Sequence, residues 1–402
     1  MLLFSPGTAH PMTSTPPHSL PQGFAPFSLG FRPFYLLAAL FAALAVPAWV
    51  ASLLGHGWPP RYLEGLNWHQ HEMVFGFALA VIAGFLLTAG RVWTGLPTLQ
   101  GLPLALLAAL WLAGRVLVIT GPALPAALVD CAFAFVLAAV MARVIVGARN
   151  ARNYFVVALL VALGLANVCF HLAVVGALDI APGVPVQAAF YLIVTLMIVM
   201  AGRVVPSFTA NALPKAGVKL RPGLDRAALA VTLAAFAGAL LEWSGWPEAL
   251  LAFVAAALHA TRQAGWAPLA TRRRPILWIL HLSHAWIPVG FVLLGLSALG
   301  LVIQGAALHA FAIGALSGTI MGMITRTALG HTGRPLVAGH AETAAYVLVH
   351  CAAAARVAAA LVLTAYMPLV ELSGALWSAA FLVYALSYAP RLARPRVDGR
   401  PG

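Results

Sequence analysis

Residues 68–73 read Trp68-His69-Gln70-His71-Glu72-Met73, and the stretch that follows, VFGFALAVIAGFLLTAG (residues 74–90), contains no ionisable side chain. A helix that crosses a bilayer needs about 20 mostly apolar residues, because the hydrocarbon core is about 30 Å thick and each residue rises about 1.5 Å. This stretch has that length. Moving outward from it, comparable runs recur along the whole chain, at 31–54, 70–92, 102–120, 123–146, 153–178, 186–210, 225–243, 247–264, 275–302, 307–328, 340–365 and 368–390. Lipid offers no hydrogen bonds, so a spanning backbone must be a helix or part of a closed barrel. Runs this long, well beyond the roughly 9–11 residues of a barrel strand, choose helices. The fold class is therefore all-α, a polytopic membrane protein with about twelve transmembrane helices.

Composition agrees. Of 402 residues, 62% are hydrophobic and 8% are charged, against about 25% charged in a soluble domain. A soluble enzyme, a disordered chain and a secreted disulfide scaffold are all excluded. The 36 Gly and 28 Pro suit membrane helices, which tolerate both. The formal net charge of +13 does not point to nucleic acid, because the basic residues lie between spans. With the N-terminus placed in the cytoplasm, every one of the 23 Lys and Arg except Arg61, Arg115 and Arg356 falls at a cytoplasmic helix end, loop or tail. That segregation follows the positive-inside rule and predicts both termini in the cytoplasm. The expected organisation is a Pro-rich flexible tail (1–30), a twelve-helix transmembrane domain (31–390) and a basic cytoplasmic tail (391–402). Cys131, Cys169 and Cys351 sit inside apolar runs and read as small buried hydrophobes. No C-x-x-C-H is present for covalent haem attachment.

An ionisable residue inside a membrane is costly, and each is a functional candidate. The chain has 13 His. His10 and His18 lie in the N-terminal tail and His56 in an outer loop. Near the expected outer face are His69, His71 and Glu72, then His171 about two turns into its span, and His309 at the start of another. Toward the opposite face are His259, His281, His284, His331 and His340, with His350 mid-span. Several imidazoles at one depth are what a metal or haem site in a helix bundle requires. His69 and His71, at i and i+2, point about 200° apart on a regular helix. They share an ion only if the helix starts between them, and otherwise serve different partners. The alternative is a surface His pair at a helix N-terminus. His281 and His284 share a face at i,i+3 and also fit simple interhelical hydrogen bonding. His259 and His340 read as membrane-edge side chains. Arg115 and Asp130 flank the Thr120-Gly121-Pro122 turn at similar depth, and are expected to pair, since neither charge is tolerable alone. Arg356 is mid-span, with a haem propionate as one conceivable counter-charge.

Weak repetition is present. His71 and His309 precede glycines at equal spacings (Gly76 and Gly84; Gly314 and Gly322), and Ala89-Gly90-Arg91-Val92 recurs as Ala201-Gly202-Arg203-Val204. The helices concerned are four apart, as three four-helix units would require. No P-loop, G-x-S-x-G or H-E-x-x-H is present.

Five segments together resemble one family: Gly30-Phe31-Arg32-Pro33-Phe34; Trp68-His69-Gln70-His71-Glu72-Met73-Val74-Phe75-Gly76-Phe77; Arg203-Val204-Val205-Pro206-Ser207-Phe208-Thr209-Ala210-Asn211; Leu280-His281 with Trp286; and Met323-Ile324-Thr325-Arg326-Thr327-Ala328-Leu329-Gly330-His331-Thr332-Gly333-Arg334. The chain resembles the NnrS family of bacterial inner-membrane proteins from about residue 24 to 390. The resemblance implies twelve helices, non-covalent haem (b-type or another), copper, and a link to the nitric-oxide response of denitrifying and pathogenic bacteria. It carries His onto His69, His71, His171, His281, His309 and His331. His284 stands where the family more often has Tyr and is not ranked as a ligand.

The expected function is a haem–copper site that binds nitric oxide and reduces it to N2O, an oxidoreductase of nitric-oxide reductase type. The expected metal cluster is His69, His71, His171 and His309, with Glu72 as proton donor. His281 and His331 lie at the other end, where a second cofactor or re-entrant helices would use them. Arg203, Arg326, Asn211 and Arg334 gather at cytoplasmic ends, where they fit the positive-inside rule and helix capping, or else anchor a haem propionate. Electrons would come from a quinol or a periplasmic carrier. A carrier or sensor of NO or copper without turnover, and a secondary transporter, are the competing classes.

Overall fold

The structure is a computed structural model that describes residues 23–57 and 61–400. Most of the expected N-terminal tail, with His10 and His18, lies outside the described residues. All twelve expected segments are helical. They are α1 (Phe31–Leu53), α2 (Gly65–Thr94), α3 (Gly101–Thr120), α4 (Ala123–Gly147), α5 (Tyr154–Val174), α6 (Gly183–Ala212), α7 (Pro222–Leu240), α8 (Trp246–Ala264), α9 (Pro275–Ala298), α10 (Gln304–His331), α11 (His340–Leu361) and α12 (Tyr366–Ala393).

Among the described residues, eleven of these are long and apolar enough to cross a membrane. The exception is α8, expected as a span over 247–264. It is a helix of 19 residues, but it carries Glu248, His259, Arg262 and Gln263, all of them buried. Its polar side faces its neighbours, so its average composition falls short of a lipid-facing span.

Local signals set the helix ends. Pro222 and Pro275 open α7 and α9, where a missing N–H costs nothing and φ is already helical. Gly95 closes α2 with φ 69° and donates its N–H to the Arg91 carbonyl, a left-handed cap that glycine adopts without strain.

The helices pack as three quartets, α1–α4, α5–α8 and α9–α12. The last helix of each quartet lies along the first of the next, α4 on α5 and α8 on α9, and α12 on α1 closes the ring. The second helix of each quartet, α2, α6 or α10, reaches the centre, where α6 touches both of the others. The spaced glycines have matching jobs. A Cβ on Gly84 would lie 2.9 Å from the Tyr35 ring on α1, and one on Gly322 would lie 2.8 Å from Leu280 on α9. Each allows the second helix of its quartet to press on the first.

Residues 23–30 are docked. The Ala25 N–H donates to the Ala393 carbonyl, and the Gly101 N–H donates to the Phe27 carbonyl. The basic tail folds back similarly, with the Val397 N–H donating to Thr332 and Arg396 to the His331 carbonyl.

Candidate functional site

Helix α2 begins at Gly65, before both His69 and His71. The two imidazoles therefore lie within one helix and point to different sides of it. Directly after His71 the winding widens to a π-helix over Glu72–Ala78, and the same happens after His309, over Ala310–Ser317. Such wide turns collect at functional positions. They shift hydrogen-bond register, and the freed groups find other donors. The Trp111 indole N–H donates to the Gly76 carbonyl at 3.0 Å, and the Ser317 hydroxyl donates to Ala312 at 2.7 Å.

His71 enters a sealed polar cluster built by α2, α3, α4 and α5. Its Nε2 lies 2.9 Å from Asp130 Oδ2 and 3.0 Å from Asn167 Oδ1. His171 Nε2 meets the same Asp130 oxygen at 3.1 Å, and Asn167 donates to it at 2.6 Å. The far nitrogens are also held: His71 Nδ1 lies 2.9 Å from Glu72 Oε1, and His171 Nδ1 lies 2.8 Å from the Tyr62 hydroxyl. Arg115 bonds Glu72 at 2.6 Å and pairs with Asp130 Oδ1. The expected Arg115–Asp130 pair is thus present, as part of a larger network. His71, Glu72 and Asn167 have no measurable exposure.

The chemistry of this cluster is that of a cation site. A neutral imidazole has a single N–H, yet both nitrogens of His71 face oxygens. Glu72 and Asp130 bring two negative charges against the one positive charge of Arg115, and buried charge must be balanced. A proton or a metal ion between the His71 and His171 Nε2 atoms and Asp130 Oδ2 corrects both deficits. His71, Asp130 and His171 offer ligand atoms all within 4.8 Å of one another. With a metal there, His71 would donate its Nδ1–H to Glu72 and His171 would donate its own to Tyr62. Oxygen atoms in those positions orient metal-bound imidazoles and raise their basicity. Two imidazoles with one carboxylate suit copper, zinc or ferrous iron.

His69 faces the other way, into a cavity of about 310 Å³ lined by α1, α2, α6, α10, α11 and α12. Its ring stacks on Trp49 at 4.7 Å between centroids. Across the cavity, His309 Nδ1 donates to the Gly305 carbonyl at 2.7 Å, which leaves Nε2 as a free lone pair. The remaining walls are mostly apolar, among them Phe77, Phe190, Leu308 and Trp377, and Arg356 and Gln187 are among the polar residues that also line the space. Arg356 Nη1 is buried with no partner among the described residues. This donor set fits a haem: an imidazole fixed for metal ligation, a second imidazole, mostly apolar walls for a porphyrin and, for a propionate, a guanidinium whose Nη1 is free while Nη2 bonds the Tyr366 hydroxyl.

Residues 25–396 match the family described as NnrS protein. The chain belongs to the NnrS family. No curated protein matches it. For this NnrS protein, the expected group of His69, His71, His171 and His309 is brought to one end of the bundle but divided between two sites. Glu72 belongs to the cluster and not to the cavity. His281 is buried on α9 with its Nε2 on Thr209, 2.8 Å away. His331 packs on Phe31, 5.6 Å between rings. Arg326 lies over the Phe208 ring at 3.7 Å, and Arg203 and Asn211 are exposed. None of these five lines the cavity. Three groups escaped notice in the sequence as site residues: Asp130 as a ligand, Asn167 and Tyr62. Asp130 and Asn167 were marked only by polarity within an apolar run, and Tyr62 by nothing.

Proposed function

We propose that this protein is a haem–copper protein of the bacterial inner membrane that binds nitric oxide and reduces it to N2O. The observation that carries this reading is the division of labour on α2. His69 shares an apolar cavity with His309 and Arg356, while His71 joins His171 and Asp130 in a sealed cluster next to it. In this reading His309 and His69 hold the haem, Arg356 pairs with a propionate, and His71, His171 and Asp130 hold copper. When bound, the two metals supply an NO-binding centre and electrons for 2 NO + 2 e⁻ + 2 H⁺ → N2O + H2O.

The chain's own residues do the rest. The apolar walls admit a small neutral gas from the bilayer and keep bulk water away. Glu72 orients His71 through Nδ1 and steadies Arg115. Its second oxygen, Oε2, has no partner among the described residues and is the atom at which a proton would be held. A quinol or a periplasmic carrier would supply the electrons, and both termini would lie in the cytoplasm.

The test is to purify the chain and record its optical spectrum and its metal content. A Soret band, copper, and NO consumption at an electrode with an electron donor are expected. A folded preparation that lacks both the Soret band and copper overturns the proposal. Bound cofactors without NO consumption would instead identify a carrier or sensor.

A further inference from the structure

A second group of imidazoles lies apart from both sites, where α7, α8 and α9 meet. His259 on α8 and His284 on α9 have ring centroids 5.8 Å apart in an edge-to-face arrangement. His281 lies one turn before His284 on α9. The exposures of His259, His281 and His284 are 0%, 3% and 1%, and four of their six ring nitrogens lack a partner among the described residues: His259 Nδ1, His281 Nδ1 and both nitrogens of His284. A buried polar atom without a partner is costly, so a cluster of four calls for a bound species.

The bonds that do exist fix part of the chemistry. The Thr209 hydroxyl donates to the Val205 carbonyl at 2.9 Å. Its oxygen therefore accepts from His281 Nε2–H, and His281 Nδ1 is an open lone pair. His259 Nε2 lies 2.9 Å from the Thr232 hydroxyl, so its free atom is also Nδ1. His284 is pressed against Trp266, 4.5 Å between centroids, and neither of its nitrogens is engaged. With metal–nitrogen bonds of about 2.0 Å, and ring centres about 1.1 Å beyond each nitrogen, two imidazoles on one ion lie roughly 6 Å apart. The observed separation is close to that.

We propose that His259 and His284 bind a cuprous ion. Charge selects the ion. The titratable neighbours of His284 are His259, Arg262 and His281, and Arg262 is already paired with Asp225. Among the described residues no carboxylate is left to offset a divalent ion here, and the cost of burying an ion rises with the square of its charge. A monovalent ion that binds imidazole and accepts only two ligands is Cu(I). This differs from the Asp130 cluster, where carboxylates supply the counter-charge.

The experiment uses the full chain in detergent, stripped with chelator, loaded anaerobically with Cu(I) and equilibrated against bicinchoninate. In the His71→Ala/His171→Ala variant, one equivalent of copper is expected to remain, with an all-nitrogen first shell by X-ray absorption. Absence of retained copper in that variant overturns the proposal. Adding His259→Leu and His284→Leu should weaken the remaining binding by at least about tenfold; unchanged binding overturns it and assigns the free nitrogens to water. His284→Met covers the case in which the leucine variants do not fold. Its thioether should appear as a sulfur neighbour of copper, and a first shell without sulfur also overturns the proposal. Failure of the Asp130-cluster assignment reads differently, as identical copper content in wild type and in His71→Ala/His171→Ala.

Discussion

His69 and His71 stand two residues apart on one helix and serve different sites. His69 stacks on Trp49 at the wall of the apolar cavity, while His71 is sealed against Asp130 on the opposite side of α2. The angular step of an α-helix turns neighbouring polar residues into ligands for two compartments, and the two can be separated by mutation.

Substitution of His309 by Ala should abolish the haem absorption while copper content stays near wild type. His71→Ala should leave the haem absorption and remove only the copper held by the Asp130 cluster, with that of the His259–His284 pair retained. Pyridine-haemochrome assay and metal analysis on the same preparations check both. Joint loss of both cofactors in either variant contradicts the division between the sites.

Asp130→Asn removes the negative charge shared by two imidazoles and Arg115, and leaves Arg115 paired with Glu72. Metal binding at the cluster should be lost. Glu72 still balances Arg115, so thermal unfolding in detergent should shift by less than the roughly 3–5 kcal/mol of a buried charge left alone; retained metal at the cluster would contradict the role of Asp130.

Tyr62 lies in the α1–α2 loop and touches His171 without contributing a ligand atom. Burial, with Cys131 nearby, pushes its phenol up to about 12, so it stays protonated in ordinary buffers. Loss of an outer partner of a metal-bound imidazole typically costs about 10–100-fold in affinity. Tyr62→Phe should weaken metal binding in that range and leave the haem spectrum unchanged, as chelator competition and optical titration would show.

Gly76 leaves no room for a side chain. A Cβ there would lie 2.9 Å from Arg115 Nη1, from Glu72 Oε2 and from the Phe41 ring. Gly76→Ala should destabilise the protein by about 1–3 kcal/mol, read as a lower melting temperature, and should loosen the cluster. Gly55, with nothing within 4 Å of the corresponding position, is the control for contact, although its φ of 81° adds local strain.

The C-terminal tail gives a pH dependence of definite sign. Hydrogen bonds from Arg396, with help from Arg400, hold the Asp398 carboxyl well below the usual carboxylate range. A depressed carboxylate stabilises the docked tail above its unfolded value of about 3.9, and that contribution is lost as pH falls through the folded value. The Val397 amide, bonded to Thr332, should keep its hydrogen-exchange protection from neutral pH to about pH 4 and lose it below. Because the pair is exposed, high salt should weaken it.

The fold was largely legible in the sequence, since apolar length alone specifies a spanning helix. The polar α8 shows the limit. It reads as a span over 247–264 in one dimension, yet its buried His259 and Arg262 find their partners, Thr232 and Asp225, on another helix. Asn167 and Tyr62 illustrate the same limit at the site, as do the free nitrogens of His259 and His284, since whether a polar atom is satisfied depends on its surroundings in space.

By itself, the sequence determined that this chain is a bundle of membrane helices, that its ionisable residues inside those helices are the functional candidates, and that it resembles NnrS proteins. These follow from hydropathy, the cost of charge in lipid and the motifs. Only the tertiary structure decided that His71 belongs with Asp130 and His171, and that His69 shares a cavity with His309 and Arg356. Ligand sets are assembled across helices distant in sequence, and their geometry is set by how those helices pack.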